Sequence, residues 1–198
     1  MRARHVLAVD AWNMDLHPDH GPSREADALT RLAAIEAIRT KIYMYCRAAD
    51  RMDRDLALEL WHPGGLALFE GAFDGTATDF VEWLYDPTRT SRVTSAHHVT
   101  NILIDVRDDQ AVTESYILAI QRVMDVDEDR CELVTGRYVD RWRCIAGVWG
   151  VDHRRYIRDF TLRLLPPNAS TSTGQGWSSR SIDDPSYAAF QSLRHDVG

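Results

Sequence analysis

The side chains best suited to chemistry in this sequence are the adjacent histidines His97 and His98, the carboxylates Asp50 and Asp53, and the donors Tyr45 and Arg154. Together they are the parts of general acid–base catalysis: an imidazole to take a proton, a carboxylate to orient it, and a phenol or guanidinium to steady developing charge. A carboxylate that accepts a hydrogen bond from one ring nitrogen fixes the tautomer and stabilises the imidazolium. The other nitrogen then becomes the stronger base. Each residue also has a plain structural reading. Asp50 and Asp53 fall in CRAADRMD, where both would be solvated residues closing a helix, and Arg154 falls in DHRRYIRD, a charge-laced strand. Tyr45, Trp61 and Tyr138 would be core aromatics.

Signatures of other chemistries are missing. The sequence has no zinc-ligand spacing, phosphate loop, dinucleotide fingerprint or nucleophile elbow, so side-chain chemistry with neither metal nor cofactor is expected. Cys46, Cys131 and Cys144 are odd in number and widely spaced, which reads as reduced thiols in a cytoplasmic protein. A net charge of -7 speaks against a nucleic-acid partner, since phosphate neutralisation needs clustered Lys and Arg. No run approaches the ~20 apolar residues of a membrane span. The basic start MRARHVLAVD is broken by Asp10 and Asn13 and makes a poor signal peptide.

The elements that must position these residues follow from periodicity. From Ala26 to Asp50, apolar side chains including Leu29, Leu32, Ile38, Ile42, Tyr45 and Ala49 recur every three or four residues, predicting a long amphipathic helix. A short helix over Arg54–Trp61 should stop at the His62-Pro63-Gly64-Gly65 breaker, followed by a strand at LALFEG. A third helix over TATDFVEWLYD has Thr76 or Thr78 as its N-cap. Later segments, HHVTNILIDV, AVTESYILAIQRVMDV, ELVTGRYVDRWRCI and GVWGVDHRRYIRDF, are β-branched and aromatic with short polar joints. Helices followed by a meander of long strands give an α+β class, the helices lying against one face of a curved antiparallel sheet. The expected organisation is an N-terminal arm over 1–24, a domain over 25–162, and a linker and tail over 163–198 in which DDPSYAAFQSL could dock. Either extension could cover a pocket mouth.

In order and spacing, AAIEAIRTKIYMYCRAADRMD, LW, HHVTN, GRYVDRW and GVWGVDHRR resemble the SnoaL-like branch of the nuclear-transport-factor-2-like superfamily over roughly residues 26–160. The resemblance implies a cone-shaped, cystatin-like α+β barrel and a homodimer or homotrimer. The enzymes of this group are cofactor-independent dehydratases, dehydrohalogenases and isomerases with a histidine base oriented by an aspartate. By the HxxTN pattern the base is His97 rather than His98, and the aspartate ending the long helix is Asp50. Tyr45 matches a pocket tyrosine or lysine, and Arg154 a pocket arginine. Trp61, Ile117 and Tyr138 would line the cavity, with Asn101 of the HHVTN strand on the face of His97 as a further substrate contact.

The expected activity is that of a lyase or isomerase acting on a small hydrophobic, aromatic or alicyclic molecule, by elimination of water or halide or by retro-aldol cleavage. The strand RRYIRDFTLR carries more charge than an apolar pocket needs, which fits a substrate carboxylate or phenolic oxygens, although an exposed strand edge explains it equally well. The superfamily also holds non-catalytic binding proteins and the small subunits of ring-hydroxylating oxygenases, so fold alone does not establish an enzyme.

Overall fold

The periodic run of the first predicted helix forms α1 (Pro22–Arg51) in the computed structural model, which describes residues 22–86, 92–124, 129–164 and 179–195. Buried Ala34, Ile38, Ile42, Tyr45, Cys46 and Ala49 descend one face of α1 in steps of three and four. Leu29 and Leu32, expected on that face, are 64% and 61% exposed, because steps of three and four back from Ala34 fall on Arg31, Thr30 and Asp27 instead, and it is Arg31 that meets Asp105 of the sheet. Met52 ends the helix with a left-handed φ of 55°. The Asp53 N–H then returns to the Ala48 carbonyl at 3.0 Å. Its carboxylate caps α2 (Arg54–Leu58), accepting from the Leu56 N–H at 3.0 Å.

The second helix is shorter than its sequence suggested, and Trp61 instead opens β1 (Trp61–Phe69). The His62–Gly65 breaker survives as an irregularity inside that strand, with Gly64 at φ 80° and a register shift between Trp61 and Leu66. An unforeseen strand, β2 (Phe73–Thr76), pairs antiparallel with β1 and delivers the chain to α3 (Ala77–Tyr85). Thr76 is the N-cap of α3: its hydroxyl accepts from the Asp79 N–H at 3.1 Å and donates to the Asp79 carboxylate at 2.7 Å. Thr76→Ala should therefore lower unfolding free energy by about 1 kcal/mol, read from the denaturant midpoint at unchanged slope. A variant as stable as the parent would show that α3 is held by packing alone.

Four long strands follow: β3 (Arg92–Arg107), β4 (Gln110–Met124), β5 (Asp129–Ile145) and β6 (Val148–Leu164). Ala146 and Gly147 join the last two with φ of 51° and 80°, the left-handed pair of a tight hairpin. The six strands form one curved, open sheet in the order β2-β1-β6-β5-β4-β3. It is mixed rather than wholly antiparallel, because β1 runs parallel to β6 while the other neighbours alternate. Along β4, Ala111, Thr113, Ser115, Ile117 and Ala119 point inward and are buried, while Val112, Tyr116, Leu118 and Ile120 face out. The inward side chains meet α1 and α3 in a core around Ile38, Ile42, Phe80, Trp142 and Val151. Beyond the meander, α4 (Pro185–His195) fulfils the expectation of a docking segment. Its Tyr187 hydroxyl donates to Asp53 Oδ2 at 2.7 Å, and the Arg47 guanidinium lies 4.1 Å from the Tyr187 ring centre. No described helix is long and apolar enough to cross a membrane. The N-terminal arm and the linker at 165–178 lie outside the described residues.

Candidate active site

At the last turn of α1, Asp50 reaches the start of the inward face of β3. One carboxylate oxygen, Oδ1, is 2.6 Å from His97 Nδ1, and the other, Oδ2, accepts the His97 backbone N–H at 2.9 Å. An ionised carboxylate can only accept, so Nδ1 carries the ring proton and Nε2 is left with its lone pair free. The second bond matters as much as the first, since it holds the carboxylate through a donor that cannot rotate. Both side chains are nearly enclosed, at 11% and 14% exposure. His98 lies outward and exposed, and Asp53 is committed to its cap and to Tyr187.

His97 borders a cavity of about 380 Å³ between the concave sheet and helices α1 and α3, within the roughly 300–1,000 Å³ range of small-molecule sites. Tyr45, Ile117 and Tyr138 line it, and α3 and β1 add an apolar wall of Phe69, Phe80, Trp83 and Leu84. Arg92, Gln121, Glu132 and Arg158 add polar groups to the lining. Two larger depressions, about 680 and 750 Å³, lie at the opposite end of the long strands around Arg107 and touch neither His97 nor this aromatic wall. A further opening of about 400 Å³ borders both Asp50 and His97 among Tyr43, Arg47, Arg51 and His98, without that wall. The aromatic-walled cavity beside His97 is therefore the candidate site.

Beneath it sits a fully buried ion pair. Arg154 Nε and Nη2 bond Asp140 Oδ1 and Oδ2 at 2.8 and 2.7 Å, both side chains having no exposure. The guanidinium lies 4.4 Å from the Tyr45 ring centre and 4.1 Å from that of Tyr138, and these two rings meet edge to face at 5.9 Å. Arg154 Nη1 has no hydrogen-bond partner. Burial works against the Arg154 charge, but Asp140 more than offsets it and the pKa rises. Burial pushes the Tyr45 phenol up to about 12, with the Arg154 charge opposing that rise. At neutral pH Tyr45 is thus a proton-bearing donor.

Three expected contacts change place. Arg154 does not line the cavity; it stands behind the two tyrosines, held by Asp140, with its guanidinium against their rings. Trp61 also misses the lining: it starts a strand instead of ending a helix, packs on Phe80 at 6.3 Å and is 8% exposed. Asn101 is exposed, because β3 shifts register between Val99 and Ile102. Alternation from His97 through Val99 would turn Asn101 inward, but the irregularity turns Ile102 and Ile104 in instead. Phe80, Trp83 and Leu84 were missed although their helical spacing in FVEWL signals a common face. Nothing in sequence marks Arg92.

A SnoaL-like domain model matches residues 30–155. The chain belongs to the SnoaL-like domain family. Among solved structures, this SnoaL-like domain is similar to a hexachlorocyclohexane dehydrochlorinase (LinA) of type 2, with a TM-score of 0.63 at 16% identity over 76% of this chain and 99% of the other. It is also similar to a protein of Novosphingobium aromaticivorans provisionally named a scytalone dehydratase, with a TM-score of 0.61 at 21% identity over 77% and 99%. A Mycobacterium tuberculosis protein of unknown function gives a TM-score of 0.55 at 21% identity over 87% and 89%. Identities this low establish the shared fold and not a shared reaction. No curated protein matches the sequence.

Proposed function

We propose that this SnoaL-like domain is a cofactor-independent lyase or isomerase in which His97 removes a proton next to an activating group on a mid-sized aromatic or alicyclic molecule. The observation that carries this reading is the 2.6 Å contact between His97 Nδ1 and Asp50 Oδ1 at the edge of an aromatic-walled cavity. Asp50 orients the ring and stabilises the imidazolium. In a water elimination, His97 Nε2 takes the proton and the C–H electron pair becomes the new double bond. The hydroxyl departs as water with a proton supplied by Tyr45 or by the imidazolium. Loss of halide needs no proton at the leaving group, and retro-aldol cleavage uses the same base on a substrate hydroxyl. Arg154 is a positioning residue that holds the two tyrosines. The test is turnover of a hydroxylated- and halogenated-aromatic panel by the wild type, His97→Ala and Asp50→Asn.

The same reading includes self-association. The outer face of the sheet leaves Tyr116, Leu118, Ile120, Phe160 and Leu162 exposed, an apolar stripe that a soluble monomer rarely carries. A homodimer or homotrimer pairing these faces is the expected species. Light scattering on the eluted peak should give twice or three times the chain mass. A monomer at micromolar concentration would overturn this part of the proposal.

A further inference from the structure

Asp50 shares its end of α1 with two arginines placed to take it from His97. Arg47 stands one turn earlier, at the spacing of an i, i+3 pair, and Arg51 is the next residue. Both border the opening of about 400 Å³ that also reaches Asp50 and His97. A guanidinium claims a carboxylate through two parallel bonds, one to each oxygen. Those are the two oxygens that Asp50 gives to the His97 ring and backbone. Either arginine would thus undo the dyad, yet both are held elsewhere, and the C-terminal segment holds them.

Asp184, buried just before α4, pairs with Arg51 Nε at 3.2 Å. The Ser186 hydroxyl and N–H donate to its Oδ1 at 2.6 and 3.1 Å, and the Ser179 N–H donates to its Oδ2 at 3.2 Å. The Ser186 hydroxyl, with the Arg51 charge behind it, helps hold the Asp184 carboxyl down at about 2, so it faces Arg51 as an anion. Arg47 is drawn over the rings of Tyr187 and Phe190, 4.1 and 5.0 Å from their centres. Tyr187 is itself fastened by its hydroxyl to Asp53 Oδ2 at 2.7 Å. We infer that α4, with Asp184 at its head, is a positioning element of the dyad: it occupies Arg51 and Arg47 and so reserves the Asp50 carboxylate for His97. This role rests on the proposed function only in taking Asp50 and His97 as the working pair.

The tautomer of His97, read from long-range proton–nitrogen spectra of the full chain, tests it without a substrate or turnover. The wild type should carry the ring proton on Nδ1. Asp184→Asn and Tyr187→Ala should each move it largely to Nε2, as the freed arginine takes Asp50. Adding Arg51→Met to the first and Arg47→Met to the second should return it to Nδ1, although the anchor is still missing. Tyr187→Phe, which keeps a ring over Arg47, should match the wild type. His62 Nε2 lies 2.9 Å from the Arg143 carbonyl, which can only accept, so a His62 proton on Nε2 marks each variant as folded. The two anchors are separate tests. A His97 proton that stays on Nδ1 in both anchor variants would overturn the inference. So would a proton that moves and is not restored by removing the arginine, or one that moves in Tyr187→Phe, since α4 would then only brace the helix end. A wild-type proton already on Nε2 would sink the dyad itself, before any variant is made.

Discussion

His97→Ala is expected to lower turnover by about a hundred- to ten-thousand-fold, the usual worth of a positioned general base, with little change in thermal stability. The ring is on the cavity edge and not part of the buried apolar core, so its loss leaves the helix–sheet packing intact. Asp50→Asn should come close to the same loss for a different reason. One Asp50 oxygen faces the backbone N–H of His97 and the other faces Nδ1. An asparagine has only one acceptor to offer. The backbone N–H lies 2.9 Å from Oδ2 and 3.2 Å from Oδ1, so the amide oxygen is expected on the nearer Oδ2 side and the amide nitrogen is left facing Nδ1. That favours the tautomer with its proton on Nε2, and the base is lost although the contacts persist. Single-turnover rates on whichever panel substrate the wild type consumes provide the measurement. Undiminished rates in both variants would falsify the dyad and place the chemistry on other groups.

Asp140→Ala is the second large effect, and it falls on stability. Removing one member of a fully buried ion pair leaves an uncompensated charge, which typically costs about 3–5 kcal/mol. Here Arg154 would keep its guanidinium at zero exposure with three nitrogens unpaired instead of one. Asp140 also stands beside Thr113, whose hydroxyl accepts from the buried Trp142 indole N–H at 3.0 Å, so strain would spread into the core. The matched double replacement Asp140→Leu with Arg154→Met should cost much less than the single one, because an apolar pair needs no partner. Urea midpoints of the three proteins decide it. If Asp140→Ala unfolds within about 1 kcal/mol of wild type, the pair is not the buried unit described. The double variant carries further information: it keeps the fold but removes the charge beneath Tyr45 and Tyr138. A fall in turnover there would identify the pair as a device for holding the cavity wall.

How far these features could be read in sequence differs residue by residue. The helix bearing Asp50 and the strand bearing His97 were legible, because burial on one face writes a period into the chain: three to four residues in α1, two in β4. Thr76 as a cap and Ala146-Gly147 as a turn were legible because those conformations need particular side chains locally. The choices of Asp50 over Asp53 and His97 over His98 came from the resemblance of CRAADRMD and HHVTN to a family, not from periodicity. The structure gives those choices a physical content, since Asp53 has a cap to make and His98 faces outward.

What the sequence by itself determined is therefore the long first helix, the third helix and the four long strands, the α+β class and, through motif order, the family. Tertiary structure alone decided where side chains from distant elements meet. Asn101 faces solvent because one register shift in β3 reverses an alternation that the sequence shows no sign of breaking. Arg154 lies behind the cavity because Asp140, its register partner on β5, takes its charge. The last described helix is held at the end of the first because Tyr187 finds Asp53. Local patterns record what each segment must bury, whereas a site is made by contacts between segments, and no single segment's pattern contains those.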